Sequence, residues 1–124
     1  METNQLTQQI IKAAYQVHNE LGIGYVEKVY ENALKIALGD LGLEARQQHP
    51  LQVHFRGIIV GDYFADLFVE NRIILELKAV KQLVTEHQAQ LINYLTTTRC
   101  EAGLLINFGK KGLEIKRAFS NSKV

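Results

Sequence analysis

Three residues of this chain have types and spacing that could do chemistry: Asp66, Glu76 and Lys78. Glu76 and Lys78 are two apart in the run Ile73-Ile74-Leu75-Glu76-Leu77-Lys78-Ala79-Val80, otherwise wholly apolar. In a strand, residues i and i+2 project from the same face, so this carboxylate and ammonium lie side by side. Burying two charges costs several kcal/mol per ion unless they are paired or bind something. Asp66, in the preceding β-rich run, adds a second carboxylate in another apolar setting. Two carboxylates and an ammonium converging on one sheet face suit a hard divalent cation. The lysine could then position a water or stabilise developing negative charge. A structural Glu–Lys pair at a sheet rim fits the same residues, because structural ion pairs also perturb their surroundings. D-x9-E-x-K taken alone is a loose pattern.

The elements that must position these residues can be read from periodicity. Leu6, Ile10, Ala14, Val17 and Leu21 recur at spacings of three and four, which predicts an amphipathic helix. Thr3 or Asn4 is the expected cap, and Gly22 and Gly24 its end. A second helical pattern runs through Val26, Tyr30, Ala33 or Leu34, Ala37 and Leu41, with Gly42 as its C-terminal glycine. Pro50 marks the passage from a helical half to a strand-rich half. From Leu51 the period is two: Leu51, Val53 and Phe55, a turn at Arg56-Gly57, then Ile58–Val69, then Ile73–Val80. These runs read as an antiparallel meander. Thr85 and Gln88 have capping-box spacing for a third helix, with Leu91, Ile92 and Leu95 as its buried stripe and Thr96-Thr97-Thr98 weakening its end. Gly103–Phe108 and Leu113–Phe119 are the last two strands, joined by Gly109-Lys110-Lys111-Gly112, and Ser120–Val124 is a frayed tail. The expected architecture is α/β: a mixed sheet, with a three-stranded antiparallel meander plus further strands, flanked by helices.

The site constrains the register of the meander. Asp66 and Glu76 must share a face to bind one ion. A two-residue loop at Glu70-Asn71 would pair residues 69 and 72 and turn Glu76 away. A three-residue loop, Glu70-Asn71-Arg72, pairs residues 69 and 73 and sets Asp66 opposite Glu76. The odd-length loop, or a bulge restoring its phase, is therefore expected.

Bulk properties bound the function. The 124 residues fit one domain, 1–124, long enough to bury roughly two thirds of the unfolded surface. Lys plus Arg number 14 and Asp plus Glu 13, a net charge of +1. Any contact with nucleic acid must then come from local patches rather than bulk charge, and Lys110, Lys111, Lys116 and Arg117 could form one. Cys100 has no partner, and His49, His54 and His87 lack ligand spacing, so no zinc site is expected. His18 reads as packed or hydrogen-bonded and Tyr30 as a core residue. With no signal peptide and no membrane-spanning run, the expected location is cytoplasmic, without membrane association.

Gly24-Tyr25-Val26-Glu27-Lys28-Val29-Tyr30 reads G-x-x-E-x-x-Y. Together with Asp66, Glu76-Leu77-Lys78, Val17-His18-Asn19-Glu20-Leu21-Gly22, Gln90-x-x-x-Tyr94 and Gly103–Gly109, it resembles the GxxExxY proteins, a branch of the PD-(D/E)xK nuclease-like superfamily. The resemblance runs over about Leu6 to Phe119. It implies a restriction-endonuclease-like core of helix, three-stranded meander, helix and strand. It also implies that Asp66 and Glu76 bind magnesium or manganese, with the Leu77 carbonyl as backbone ligand and Glu27 as an added helix carboxylate. Lys78 would orient or activate water, and Gln90 and Tyr94, on one helix face, would stand near the metal or the nucleic-acid strand. Ala65 precedes Asp66 where the superfamily name has proline.

Three readings follow, the last being a plain oligomerisation scaffold that metal binding would speak against. The first is a divalent-metal-dependent nuclease cutting phosphodiester bonds of nucleic acid, most naturally DNA. The second is a nuclease-fold module that no longer cleaves and binds nucleic acid or a protein partner. A homo-oligomer is compatible with either of these two.

Overall fold

The structure is a computed structural model and describes residues 1–98 and 100–119; the tail expected to fray, 120–124, lies outside the described residues. The elements follow in the order α1 (Thr3–Leu21), α2 (Glu27–Asp40), β1 (Ala45–Phe55), β2 (Ile58–Val69), β3 (Ile73–Lys78), α3 (Thr85–Thr98), β4 (Ala102–Gly109) and β5 (Gly112–Phe119). One mixed sheet has the order β1-β2-β3-β4-β5. The first three strands form the expected antiparallel meander, β3 and β4 pair in parallel, and β5 returns antiparallel on β4. A parallel pair needs a crossover connection, and α3 supplies it.

Both faces of the sheet are covered. Leu6, Ile10, Ala14 and Val17 of α1 and Tyr30, Leu34 and Leu38 of α2 pack with Ile73, Leu75 and Leu77 of β3 and Leu104, Ile106 and Phe108 of β4. Leu91, Tyr94 and Leu95 of α3 pack on the opposite side with Ile74, Leu105 and Ala118. This alternation turns Glu76 and Lys78, in phase with Ile74, toward α3. No helix among the described residues is long and apolar enough to cross a membrane.

The β2–β3 connection has the three-residue loop that the site requires: Val69 pairs with Ile73, Phe68 with Ile74 and Leu67 with Leu75. Glu70 and Asn71 both take φ of 55° to close it. Arg56 and Gly57, at φ 53° and 80°, form the two-residue turn between Phe55 and Ile58, the primed geometry that matches strand twist.

Several boundaries differ from expectation, each for a local reason. β1 begins at Ala45 and passes through Pro50, which pairs with Phe64. As the sheet's edge strand, β1 tolerates a residue without an N–H. β3 stops at Lys78 because the Asn107 side chain takes both the N–H and the carbonyl of Val80, each at 2.9 Å. The α1 cap is Glu2, whose N–H donates to Gln5 Oε1 at 3.0 Å, rather than Thr3 or Asn4. At α3 the Val84 N–H donates to His87 Nδ1 at 3.2 Å, one residue ahead of the expected Thr85–Gln88 pair. The threonines at its end keep the helix by bonding backward, Thr96 to the Ile92 carbonyl and Thr98 to that of Tyr94.

Candidate active site

Asp66, Glu76 and Lys78 meet where β2 and β3 part. Continuing the register by one pair sets Asp66 opposite Glu76. At this point the ladder is replaced by a side-chain bond, in which the Leu77 N–H donates to Asp66 Oδ2 at 2.7 Å. That bond fixes one carboxylate oxygen against β3 while the Leu77 side chain anchors the strand in the core beneath α1 and α2.

The electrostatics show two carboxylates held close without full compensation. Glu76 is 8% exposed, and its Oε1 is buried with no hydrogen-bond partner. Burial, then the Asp66 charge, push its carboxyl up to about 8, against the opposing pull of the Asp66 backbone amide and the Lys78 ammonium. Asp66 is also raised, first by burial and then by Glu31 and Glu27, with the Leu77 amide and Gln48 opposing. A buried polar atom left without a partner is costly. A cation between the two carboxylates would satisfy Glu76 Oε1 and cancel the repulsion, so this donor set fits a divalent metal.

The remaining expected residues fall into two groups. Tyr94 stands within reach of the carboxylate charges: burial and then the Glu76 charge, with smaller effects of Tyr63 and Asp66, push its phenol up to about 12. Its ring lies 5.5 Å from that of Tyr63 on β2. Gln90, one turn earlier on α3, lines the same cleft beside Tyr94 but is exposed. Glu27 opens α2, where the positive helix end favours a carboxylate. Its charge reaches both Asp66 and Glu76 as the last contribution to each. Among the described residues no three His, Cys, Asp or Glu side chains come together as a ready ligand set.

Two residues that sequence reasoning passed over stand beside the site. Glu31 is buried yet satisfied: Lys28 Nζ, Gln47 Nε2 and Gln48 Nε2 reach it at 2.9, 2.8 and 2.9 Å. Gln48 Nε2 also lies 3.5 Å from Asp66 Oδ1. Glu31 shares a stripe with Glu27, Leu34 and Leu38, and that spacing marked it as inward-facing. Gln48 carried no such signal, since its φ of 51° belongs to the irregularity in β1.

The G-x-x-E-x-x-Y segment is built around Tyr30. That ring stacks on Phe108 with centroids 4.4 Å apart and planes at 7°, and its hydroxyl donates to the Gly22 carbonyl at 2.6 Å. The tyrosine thus ties the α1–α2 turn to β4, as a core residue. His18 is likewise hydrogen-bonded, its Nε2 3.2 Å from the Gly109 carbonyl oxygen. Of the four basic residues considered for a phosphate patch, Arg117 is engaged by α1, donating to Asn4 Oδ1 at 3.2 Å and Thr7 Oγ1 at 2.8 Å. Lys110 and Lys111 are exposed and share clefts with Lys81 instead.

Comparison with known proteins agrees with this fold. No curated protein matches the sequence. Among solved structures, the one described as "Crystal structure of SSO0001" superposes with a TM-score of 0.60 at 19% identity, covering 76% of this chain and 50% of that one. The likeness supports the fold, and this chain spans half of that protein's length. The family model described as the PD-(D/E)XK nuclease superfamily matches residues 4–118. With that match over nearly its whole length, and with Asp66, Glu76 and Lys78 gathered at the parting of the meander, the chain belongs to the PD-(D/E)XK nuclease superfamily.

Proposed function

We propose that this protein hydrolyses phosphodiester bonds in nucleic acid, most naturally DNA, with magnesium or manganese held by Asp66, Glu76 and the Leu77 carbonyl. The observation that carries the reading is the unpartnered, buried Glu76 Oε1 beside a second carboxylate. The bound ion would supply charge neutralisation at the scissile phosphate. Asp66 is oriented for this by the Leu77 amide. Lys78 enters no hydrogen bond or ion pair with Asp66 or Glu76 among the described residues, which leaves its ammonium free to position the attacking water. Tyr94 keeps its proton at any physiological pH and is available as a donor. Glu27 would join through water, and Gln90 would face the strand. The G-x-x-E-x-x-Y segment supports a place in the GxxExxY branch.

The deciding experiment separates metal binding from chemistry. A ligand that binds only the folded state stabilises it by mass action. Magnesium or manganese should raise the melting temperature, and Asp66→Asn or Glu76→Gln should remove most of that rise. Lys78→Ala should keep the rise while hydrolysis of a substrate panel falls on the order of a hundredfold. Native protein that neither shifts with millimolar ion nor cuts any substrate would leave the second reading, a binding module. The exposed apolar side chains Phe55, Ile58, Val60 and Phe64 on the β1–β2 hairpin favour that reading.

A further inference from the structure

β1 and β2 are 11 and 12 residues long, whereas β3 has 6 and pairs with β2 only over Leu67–Val69. The rest of the hairpin extends beyond β3, and a cleft of about 530 Å³ opens between it and α3. That volume lies in the roughly 300–1,000 Å³ range of sites that take small organic groups. Val53 and Tyr63 line it from the hairpin, and Glu86, Gln90, Asn93 and Tyr94 from α3. It adjoins the carboxylates, since the Tyr94 phenol is raised by the charges of Glu76 and Asp66.

The lining selects a kind of ligand. Among the described residues no Lys or Arg lines the cleft and Glu86 does, so this lining favours a neutral group over a phosphate. Tyr63 is 44% exposed and offers a ring face. Gln90 and Asn93 are exposed, and each carries a donor and an acceptor on one amide. An aromatic face with nearby amide edges suits a nucleobase, whose own edges carry donors and acceptors around a flat ring. We propose that this cleft is a nucleobase subsite, and that the strand cut at Asp66 and Glu76 is therefore unpaired beside the scissile phosphate. The proposal rests on the nuclease reading and deepens it by naming the substrate class. A base inside a duplex is stacked and paired, and reaches a side cleft only by leaving the stack.

The test measures binding, with calcium in place of magnesium so that cutting does not intervene. Fluorescein-labelled hexathymidylate is compared by anisotropy with a hexamer of abasic deoxyribose phosphate, which has the same charge and no bases. Native protein should bind the base-bearing chain about tenfold more tightly. Tyr63→Leu should remove about that factor, the scale of one base–aromatic stack, and leave the abasic chain unaffected. Asn93→Ala, on the exposed side of α3, should act in the same direction and carries the test if Tyr63→Leu fails to fold. Equal native affinity for the two hexamers, or variants that weaken both alike, overturns the proposal. So does a blunt duplex whose affinity falls with Tyr63→Leu as far as the hexathymidylate's. Native protein that cuts nothing but keeps the base dependence loses hydrolysis and retains the subsite. Protein that cuts and shows no base dependence loses the subsite alone.

Discussion

At the residue scale, the site stores its own repulsion. Glu76 is held among apolar neighbours with one oxygen unpartnered, and its carboxyl rises to about 8. An acid whose folded pKa exceeds its unfolded value binds its proton more tightly in the folded state. Its contribution to stability is complete below the unfolded pKa and is lost as pH rises through the folded one. For Glu76 that window runs from 4.5 to about 8, and the raised Asp66 acts with the same sign. Metal-free protein in a chelator should therefore melt lower at pH 8 than at pH 5, by a difference on the order of 5–10 °C. Glu76→Gln, neutral throughout, should melt higher than native protein at pH 8 and flatten the profile. A variant profile as steep as the native one would assign the pH dependence to other groups.

At the element scale, the height of α3 over the sheet is set by Gly103. A Cβ there would come within 2.9 Å of Leu91 Cδ1, 3.0 Å of the Ile74 carbonyl oxygen and 3.2 Å of Leu95 Cδ2. The carbonyl belongs to β3 and the two leucines to the buried stripe of α3, so the packed leucine ends and the β3 backbone must give way. Gly103→Ala should cost about 1–3 kcal/mol, the usual scale for overpacking, read as a lower urea midpoint. Because Tyr94 rides on the same helix, metal-dependent hydrolysis should fall as well. Asn107 plays a complementary part at the far end of β3. Buried and opposite Lys78, it binds both backbone groups of Val80 and Glu114 Oε1, and so anchors the chain just beyond Lys78.

At the scale of the whole molecule, a net charge of +1 gives no general attraction for a polyanion. Attraction must come from cations gathered locally, and Lys81, Lys110 and Lys111 are gathered beside the end of β3. Neutralising Lys110 and Lys111 to Gln should weaken binding. It should also reduce the slope of log affinity against log salt by roughly 0.7–0.9 for each phosphate that is no longer neutralised. Arg117→Ala should behave differently: it releases Asn4 and Thr7, so it should lower stability and leave the salt slope unchanged. An unaltered slope in the Lys110 and Lys111 variant would return that turn to solvent.

Residue types and periods along the chain were enough to determine the order of helices and strands, and the demand that Asp66 and Glu76 share a face was enough to give the odd-length loop at Glu70-Asn71-Arg72. These rest on alternation and on a constant register sum, which are properties of neighbouring residues. The packed Tyr30 and His18 were legible for the same reason, since each lies on or beside a buried stripe. Only the tertiary structure decided that Glu31 and Gln48 stand beside Asp66, because α2 and β1 meet through contacts that no local spacing encodes. It alone tied the exposed Arg117 to Asn4 and Thr7 of α1 and placed Lys81 beside Lys110 and Lys111. It also set Tyr63 against Tyr94, 31 positions apart in sequence. Long-range proximity is settled by how faces pack, and a face records what it buries without recording its partner.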